Sequence, residues 1–333
     1  WLVTNRMKAW QGSVGISPLR GIVSGHYICF APRHQEDPDY LNWLFRSPPY
    51  THAYALLSRG VRIGQVEIDN DDYRQLPVLL PPLGTQRAVA DYLDCETARI
   101  DTLIEEQRRL IEMLRERRTA AISHALTRGL NPAAPVKHSG LALLGDIPAH
   151  WRMVPTRHLC TITTGSEDSG NAIDGGEYPF FVRGRELLSI GHYSFDCEAV
   201  MTPGDGQGGT GKVFHYFNGK FEAHQRVYVY KDFEGVLGRY FYYFLSTFLR
   251  TVALAASNTV TMESLRRPVL AEFRLAVPPL EEQHQIIAYL DEQTTKIDTL
   301  IDETEKFIEL SRERRSALIS AAVTGQIDVR EVA

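Results

Sequence analysis

The chain has 333 residues, of which 44% are hydrophobic and 23% charged, and its net charge is −5. That is the composition of a globular protein of two or three domains, and no apolar run approaches the roughly 18 residues of a membrane-spanning helix. Cys29, Cys95, Cys160 and Cys197 stand far apart with no C-x-x-C. This excludes a zinc finger or disulfide framework and suits a reducing cytoplasm. The acid excess sits at the end, where residues 281–333 hold 6 basic and 12 acidic side chains, so a local basic face remains open elsewhere.

The sequence begins at Trp1-Leu2-Val3 without a methionine, which reads as the middle of a strand and suggests a fragment. Gly21–Phe30 (GIVSGHYICF) then reads as a strand and Asp39–Arg46 (DYLNWLFR) as an aromatic helix. Ser47-Pro-Pro-Tyr50 resembles the S/N/D-P-P-Y/F motif of amino-methyltransferases, but it follows a helix and no suitable glycine loop precedes it. A helix stop is the simpler reading.

From Pro81 to Thr127 the sequence is helical by every local sign. Pro81-Pro82 precedes it, its interior is Glu, Arg, Leu, Ile and Ala, and Gly129-Leu-Asn-Pro132 follows. Asp94, and Asp291 later in the chain, sit where a lead-in helix would break and the long one be capped.

A second globular part opens near Ser139, with strands over Tyr178–Val182 and Arg226–Tyr230 and an aromatic helix over Gly238–Leu249. Within it, Gly206–Val213 (GQGGTGKV) fits the start of a phosphate-cradling loop. Such a loop needs Ser or Thr after the lysine to ligate Mg²⁺ and a helix next. Val213 has no oxygen to offer, and VFHYFNGKF reads as a strand broken by a turn at Asn218-Gly219. Neither G-x-S-x-G nor H-E-x-x-H occurs, so no catalytic or metal-ligating constellation is predicted.

Pro278–Thr324 matches Pro81–Thr127 without a gap at an offset of 197, with about half the positions identical and the blocks YLD, IDTLI and RERR shared. Weaker matches continue upstream near an offset of 198, pairing Gly21 with Gly219 and His26 with His224. The whole chain therefore reads as an internal duplication of about 198 residues. On that arithmetic about sixty residues are absent from the front of the first copy.

Apolar residues of the two long helices recur every seven positions. One seam is Leu93, Ile100, Leu103, Ile104, Leu110, Ile111 and Leu114; the other is Leu290, Ile297, Leu300, Ile301, Phe307 and Ile308. So narrow a stripe on both helices predicts an antiparallel coiled coil. The fold class is α+β, mixed globular domains with two long helices. The predicted divisions are residues 1–80, a first globular domain incomplete at its start; 81–130, the first long helix; 131–280, the second globular domain; 281–325, the second long helix; and 326–333, a tail.

With PPLGTQ and PPLEEQ, YLD, IDTLI and RERR repeated after a variable globular part, the sequence resembles the specificity subunit of type I restriction-modification systems. The resemblance extends to DIPAHW at Asp146–Trp151, NRMKAWQGSVG at Asn5–Gly15 and GDGQGGTGKVFHYFNGKFEAHQRVYVY at Gly204–Tyr230. It implies a non-catalytic, cytoplasmic subunit with two target recognition domains, each binding one half of a split double-stranded DNA site. The helices then set the spacing. It also implies two methyltransferase subunits and restriction subunits as partners, with S-adenosylmethionine, ATP and Mg²⁺ on those partners and no cofactor here.

On this reading the glycine loop lets backbone approach phosphate, and its first-copy counterpart is Lys8–Gly15. Gln207, Gln225, Arg226, Arg183 and Arg185 are candidate base readers because amides and guanidinium groups can form bidentate contacts with base edges. Lys8, Lys212 and Lys220 are candidate phosphate contacts, with Gln11, Gly12 and Gly208 in the same loops. Arg226 also suits a structural ion pair, and His26 and His224 a role in the fold. Two rival functions are a DNA amino-methyltransferase and a coiled-coil adaptor without DNA contact.

Overall fold

A computed structural model describes residues 1–60, 66–205, 211–255 and 265–330. The chain divides into two compact units, Trp1–Glu112 with Ile301–Ala333, and Met113–Leu300.

The first unit opens with β1 (Leu2–Asn5), β2 (Val14–Ile16) and β3 (Tyr27–Phe30), an antiparallel sheet in the order β2-β1-β3. The strand expected over Gly21–Phe30 is confined to its last four residues; Gly21–His26 are exposed and lie outside the sheet. Helices α1 (Pro38–Arg46), α2 (Pro48–Leu57) and α3 (Asn70–Arg74) follow. Asp37 caps α1 by accepting from the amides of Asp39 and Tyr40, with Pro38 at the first helical position. Then comes α4 (Leu83–Arg128), 46 residues without a break. The core joins fully buried Ala9, Tyr40, Leu44, Tyr54, Ile68 and Leu93 to Ile319, Ala322 and Val323 near the end of the chain.

The second unit begins with β4 (Val136–His138), β5 (Asp146–Pro148) and β6 (Arg152–Pro155). Its main sheet contains β7 (Thr161–Thr164), β8 (Tyr178–Phe181), β9 (Leu187–Ile190), β10 (Phe195–Pro203), β11 (His215–Ala223) and β12 (Val227–Lys231), in the order β7-β12-β10-β11-β8-β9. Helices α5 (Gly238–Ala255) and α6 (Arg267–Glu272) and strand β13 (Arg274–Val277, paired with β6) lead into α7 (Leu280–Val323).

Alternation along the strands sends Val200 and Tyr230 towards Tyr240, Phe241 and Phe244 of α5, and Ala199, Met201 and Val229 into a second cluster with Phe181 and Phe221. The sheet curls around that second cluster. Gly165, just past edge strand β7, lies against Ala223 at the end of β11, so close that a Cβ would stand 1.7 Å from the Ala223 carbonyl oxygen. Only glycine permits that closure.

Asn218-Gly219 does not turn. Both residues lie inside β11 opposite Glu198 and Cys197. Phe217 and Phe221 on either side pack into the second cluster, and that burial outweighs a local turn preference.

The two units contain the same ladder. Adding 199 to each number turns Leu2↔Ile16 of β1–β2 into Met201↔His215 of β10–β11, and Leu2↔Phe30 of β1–β3 into Met201↔Val229 of β10–β12. Gly12 and Gly211, also 199 apart, both take left-handed backbone (φ 82° and 65°). Each precedes by two residues a buried valine, Val14 or Val213. This register sets His26 against Gln225, one residue from the His224 expected at an offset of 198.

The long helices run antiparallel. In the first unit Ile100, Ile104 and Ile111 of α4 pack with Ile308, Ile301 and Leu318 of α7. In the second, Ile122, Ala125 and Leu126 of α4 join Ile286 and Leu290 of α7 in the main core. Arg118 bonds both carboxylate oxygens of Asp298, and Arg315 pairs with Asp101. Each member of one pair is 197 positions from its counterpart, so the same contact recurs with the helices exchanged.

Asp94 and Asp291 cap nothing. They lie within unbroken helices, where Asp94 accepts from the Trp43 indole and Asp291 from Arg239 and Tyr243. Leu103 and Ile301 are half-buried, while Leu93, Ile100, Ile104, Ile111, Leu114, Leu290, Ile297 and Ile308 are buried. Leu110, Leu300 and Phe307 are 37, 48 and 44% exposed and leave the predicted seam. Buried Thr97, Thr294, Thr304 and Ser311 occupy inward positions instead. At 3.6 residues per turn a seven-residue stripe drifts around a straight helix, and short hydroxylated side chains fit a close approach.

Candidate nucleic-acid interface

The turn from β11 to β12 is Ala223–Val227, and three neighbouring segments fix it. The His224 amide donates to the Phe181 carbonyl at the end of β8, the Gln225 amide to Glu167, and the Gly204 amide beyond β10 to the Arg226 carbonyl. His224 is buried, and its Nδ1 accepts the Arg226 amide at 3.0 Å. Burial, reinforced by the Arg183 charge, holds its imidazole below the ordinary value of 6.5, as an acceptor nitrogen requires. With the backbone fastened, the side chains of Gln225 and Arg226 face solvent.

Two carboxylates organise that exposed face. Asp205 accepts from Arg226 Nη1 at 3.0 Å and stands 3.8 Å from Arg183 Nη1. Asp168 accepts from Gln225 Nε2 at 3.2 Å and faces His224 Nε2 at 3.8 Å. The Gly170 amide, ahead of the nearby cations, keeps the Asp168 carboxyl below its usual range. Beside them Glu167 accepts from Asn171 and pairs with His192, and these hydrogen bonds lower its carboxyl. Amide, guanidinium and carboxylate groups held on one rim can present both donors and acceptors to base edges.

Arg183, Gln225 and Arg226 therefore share one site, and the ion pair weighed for Arg226 is present, with Asp205. Arg185 and Lys212 are exposed. Lys220 has other surroundings: its ammonium lies over the Tyr193 ring at 4.7 Å, opposite Asp196 on β10. Gln207 and Gly208 fall outside the described residues. The chain after Gly211 enters strand β11, not the helix a nucleotide loop needs.

In the first unit Lys8, Gln11 and Gly12 belong to the β1–β2 connection, the place of the glycine loop between β10 and β11. Lys8 and Gln11 are exposed around a short 3₁₀ turn over Ala9–Gln11, which Gly12 ends. Ser47 marks the junction of α1 and α2, and Tyr50 is buried with its hydroxyl donating to the Pro77 carbonyl. Sequence reasoning missed Asp205 and Asp168. Asp205 had a signal, as the acid between two glycines at the mouth of the loop, whereas Asp168 became visible only through the fold.

Residues 148–310 match the family described as the type I restriction modification DNA specificity domain. The EcoDI specificity subunit of a type I restriction enzyme from Escherichia coli is 25% identical over 183 residues, 55% of this chain and 40% of that protein's length. The MjaVIII specificity subunit from Methanocaldococcus jannaschii is 22% identical, across 94% of this chain and 76% of its own. The fold matches a chain from a type I R-M system solved for its complex assembly and conformational transition, with a TM-score of 0.76 at 18% identity, covering 97% of this chain and 81% of that one. It also matches the HsdS subunit from Thermoanaerobacter tengcongensis, with a TM-score of 0.57 at 17% identity, covering 98% and 81%.

Proposed function

We propose that the chain is a specificity subunit of a type I restriction-modification system and that it reads a bipartite double-stranded DNA target without catalysing a reaction itself. One observation carries this reading. The two units hold one ladder in one register, yet different side chains stand at its exposed end. A common framework with divergent tips suits two readers of two unlike half-sites.

On this reading residues 1–80 and 131–280 are the recognition domains, 81–130 and 281–325 the helices that set the half-site spacing, and 326–333 a tail. Gln225, Arg226, Arg183, Arg185 and Gln207 read bases, while Lys8, Lys212 and Lys220, with the backbone near Gln11, Gly12 and Gly208, meet phosphate and sugar. Two methyltransferase subunits and restriction subunits dock on the chain in the cytoplasm. They bring S-adenosylmethionine, ATP and Mg²⁺.

The test is a methylation map of DNA from cells that carry this chain with its cognate methyltransferase. A split motif with a fixed gap is the expected result. Active methyltransferase with no split motif would overturn the proposal.

A further inference from the structure

The shared register identifies contacts that sequence offsets conceal. At an offset of 199, Asp205 corresponds to Arg6, Gln225 to His26 and Arg226 to Tyr27. Where the second unit has a carboxylate, an amide and a guanidinium, the first has a guanidinium, an imidazole and a phenol at the matching positions of the ladder. None of these three was a sequence-based candidate for reading DNA.

Their surroundings suit a ligand-facing role. The backbone at Arg6 is anchored on both sides: its amide donates to the His26 carbonyl and its carbonyl accepts from Ile68. The guanidinium is held more loosely: Nη2 stands 3.8 Å from Glu67, and the side chain is 37% exposed. So long and solvated an ion pair is weak and leaves guanidinium donors open to a ligand. His26 and Tyr27 stand exposed at the start of β3.

We infer that Arg6 and His26, with Tyr27 beside them, determine specificity for the first half-site, as Arg226 and Gln225 do for the second. This rests on the bipartite reading above. The chemistry also implies a polarity. The second rim offers an acceptor, Asp205, between its arginines, so it can take the amino group of cytosine or adenine. The first rim offers donors from Arg6 and His26, so it favours a base edge with two acceptors, which in the major groove is guanine.

The experiment is methylation mapping with the full chain and its methyltransferase subunits, comparing Arg6→Ala, His26→Ala and Arg226→Ala. Arg6→Ala should relax one position of one half-site, lowering its discrimination roughly tenfold or more. The other half-site and the gap should stay unchanged, and Arg226→Ala should do the converse. If Arg6→Ala abolishes methylation altogether, the His26→Ala variant, altered at an exposed position, decides alone. An unchanged parental motif with Arg6→Ala and His26→Ala both active would overturn the inference and leave the bipartite reading intact. Absence of any split motif with the unaltered chain would overturn both.

Discussion

His224 fastens the Ala223–Val227 turn through an unprotonated nitrogen, so protonation and folding compete for the same lone pair. Its depressed pKa gives the sign. Between the folded value and the ordinary 6.5, the unfolded chain binds the extra proton. The stability contributed by this imidazole is therefore complete above about pH 6.5 and declines as the pH falls through the folded pKa. Asp168, facing Nε2, opposes the shift, while Arg183 and Arg226 add to it. Thermal melting of the full chain should show lower stability at pH 5.5 than at pH 7.5. His224→Ala should cost about 1–3 kcal/mol at the higher pH and flatten the dependence. An imidazole that titrates at its ordinary value by NMR would refute this account. A second residue-scale prediction concerns Gln86 and Gln283, both fully buried. Each donates to the carbonyl of the first proline before its helix and accepts a backbone amide at the start of the preceding aromatic helix, Asp37 in one case and Leu237 in the other. Replacing either by leucine should orphan those backbone groups and lower stability by about 2–3 kcal/mol in urea unfolding. Loss of under about 0.5 kcal/mol would show that water takes over the bonds.

Secondary elements separate what their sequences specify from what packing adds. The long helices are legible in the sequence because composition, flanking prolines and Gly129 all agree. Their inward face is less legible. A seven-residue stripe selects Ile308 and Phe307 alike, yet Ile308 is 5% and Phe307 44% exposed. Ile308→Ala should cost about 2–4 kcal/mol, and Phe307→Ala should stay within about 0.5 kcal/mol; the reverse ranking in urea unfolding would restore Phe307 to the seam. Strand β11 teaches the opposite lesson. Asn218-Gly219 is a strong local turn signal, but pairing with β10 on both sides carries the strand through it, and a single sequence cannot reveal that partner. The exposed rim at the β11–β12 turn was half legible for the same reason. Gln225 and Arg226 stand out by residue type next to a strand. Asp168 reaches them only because the chain beyond β7 closes on Ala223 at Gly165, Asp205 because β10 pairs with β12, and Arg6 corresponds to Asp205 only through strand register. A one-residue difference in offset was enough to equate His26 with His224, where the ladder equates it with Gln225.

At the scale of the whole molecule, electrostatics must be local. A net charge of −5 repels DNA at long range, so any attraction has to come from a few cations at short distance. Most arginines on the long helices cannot supply it, because they are committed to neighbours: Arg118 to Asp298, Arg315 to Asp101, Arg108 to Glu105 and Arg312 to Glu309. On the proposed reading Lys8 and Lys212, exposed in the β1–β2 and β10–β11 connections, meet phosphate together with Lys220. Each contact releases close to one counterion from duplex DNA, so each contributes about 0.9 to the slope of log affinity against log salt. Lys8→Ala and Lys212→Ala should each flatten that slope by about one and weaken all DNAs alike, without changing the methylated motif. Gln225→Ala should leave the slope unchanged and relax one half-site by about 1–3 kcal/mol. Binding titrations of the methyltransferase complex between about 50 and 200 mM salt would measure both. An unchanged slope in Lys212→Ala would move the phosphate contact elsewhere. A reduced slope in Gln225→Ala would mean that this amide positions the backbone and reads no base.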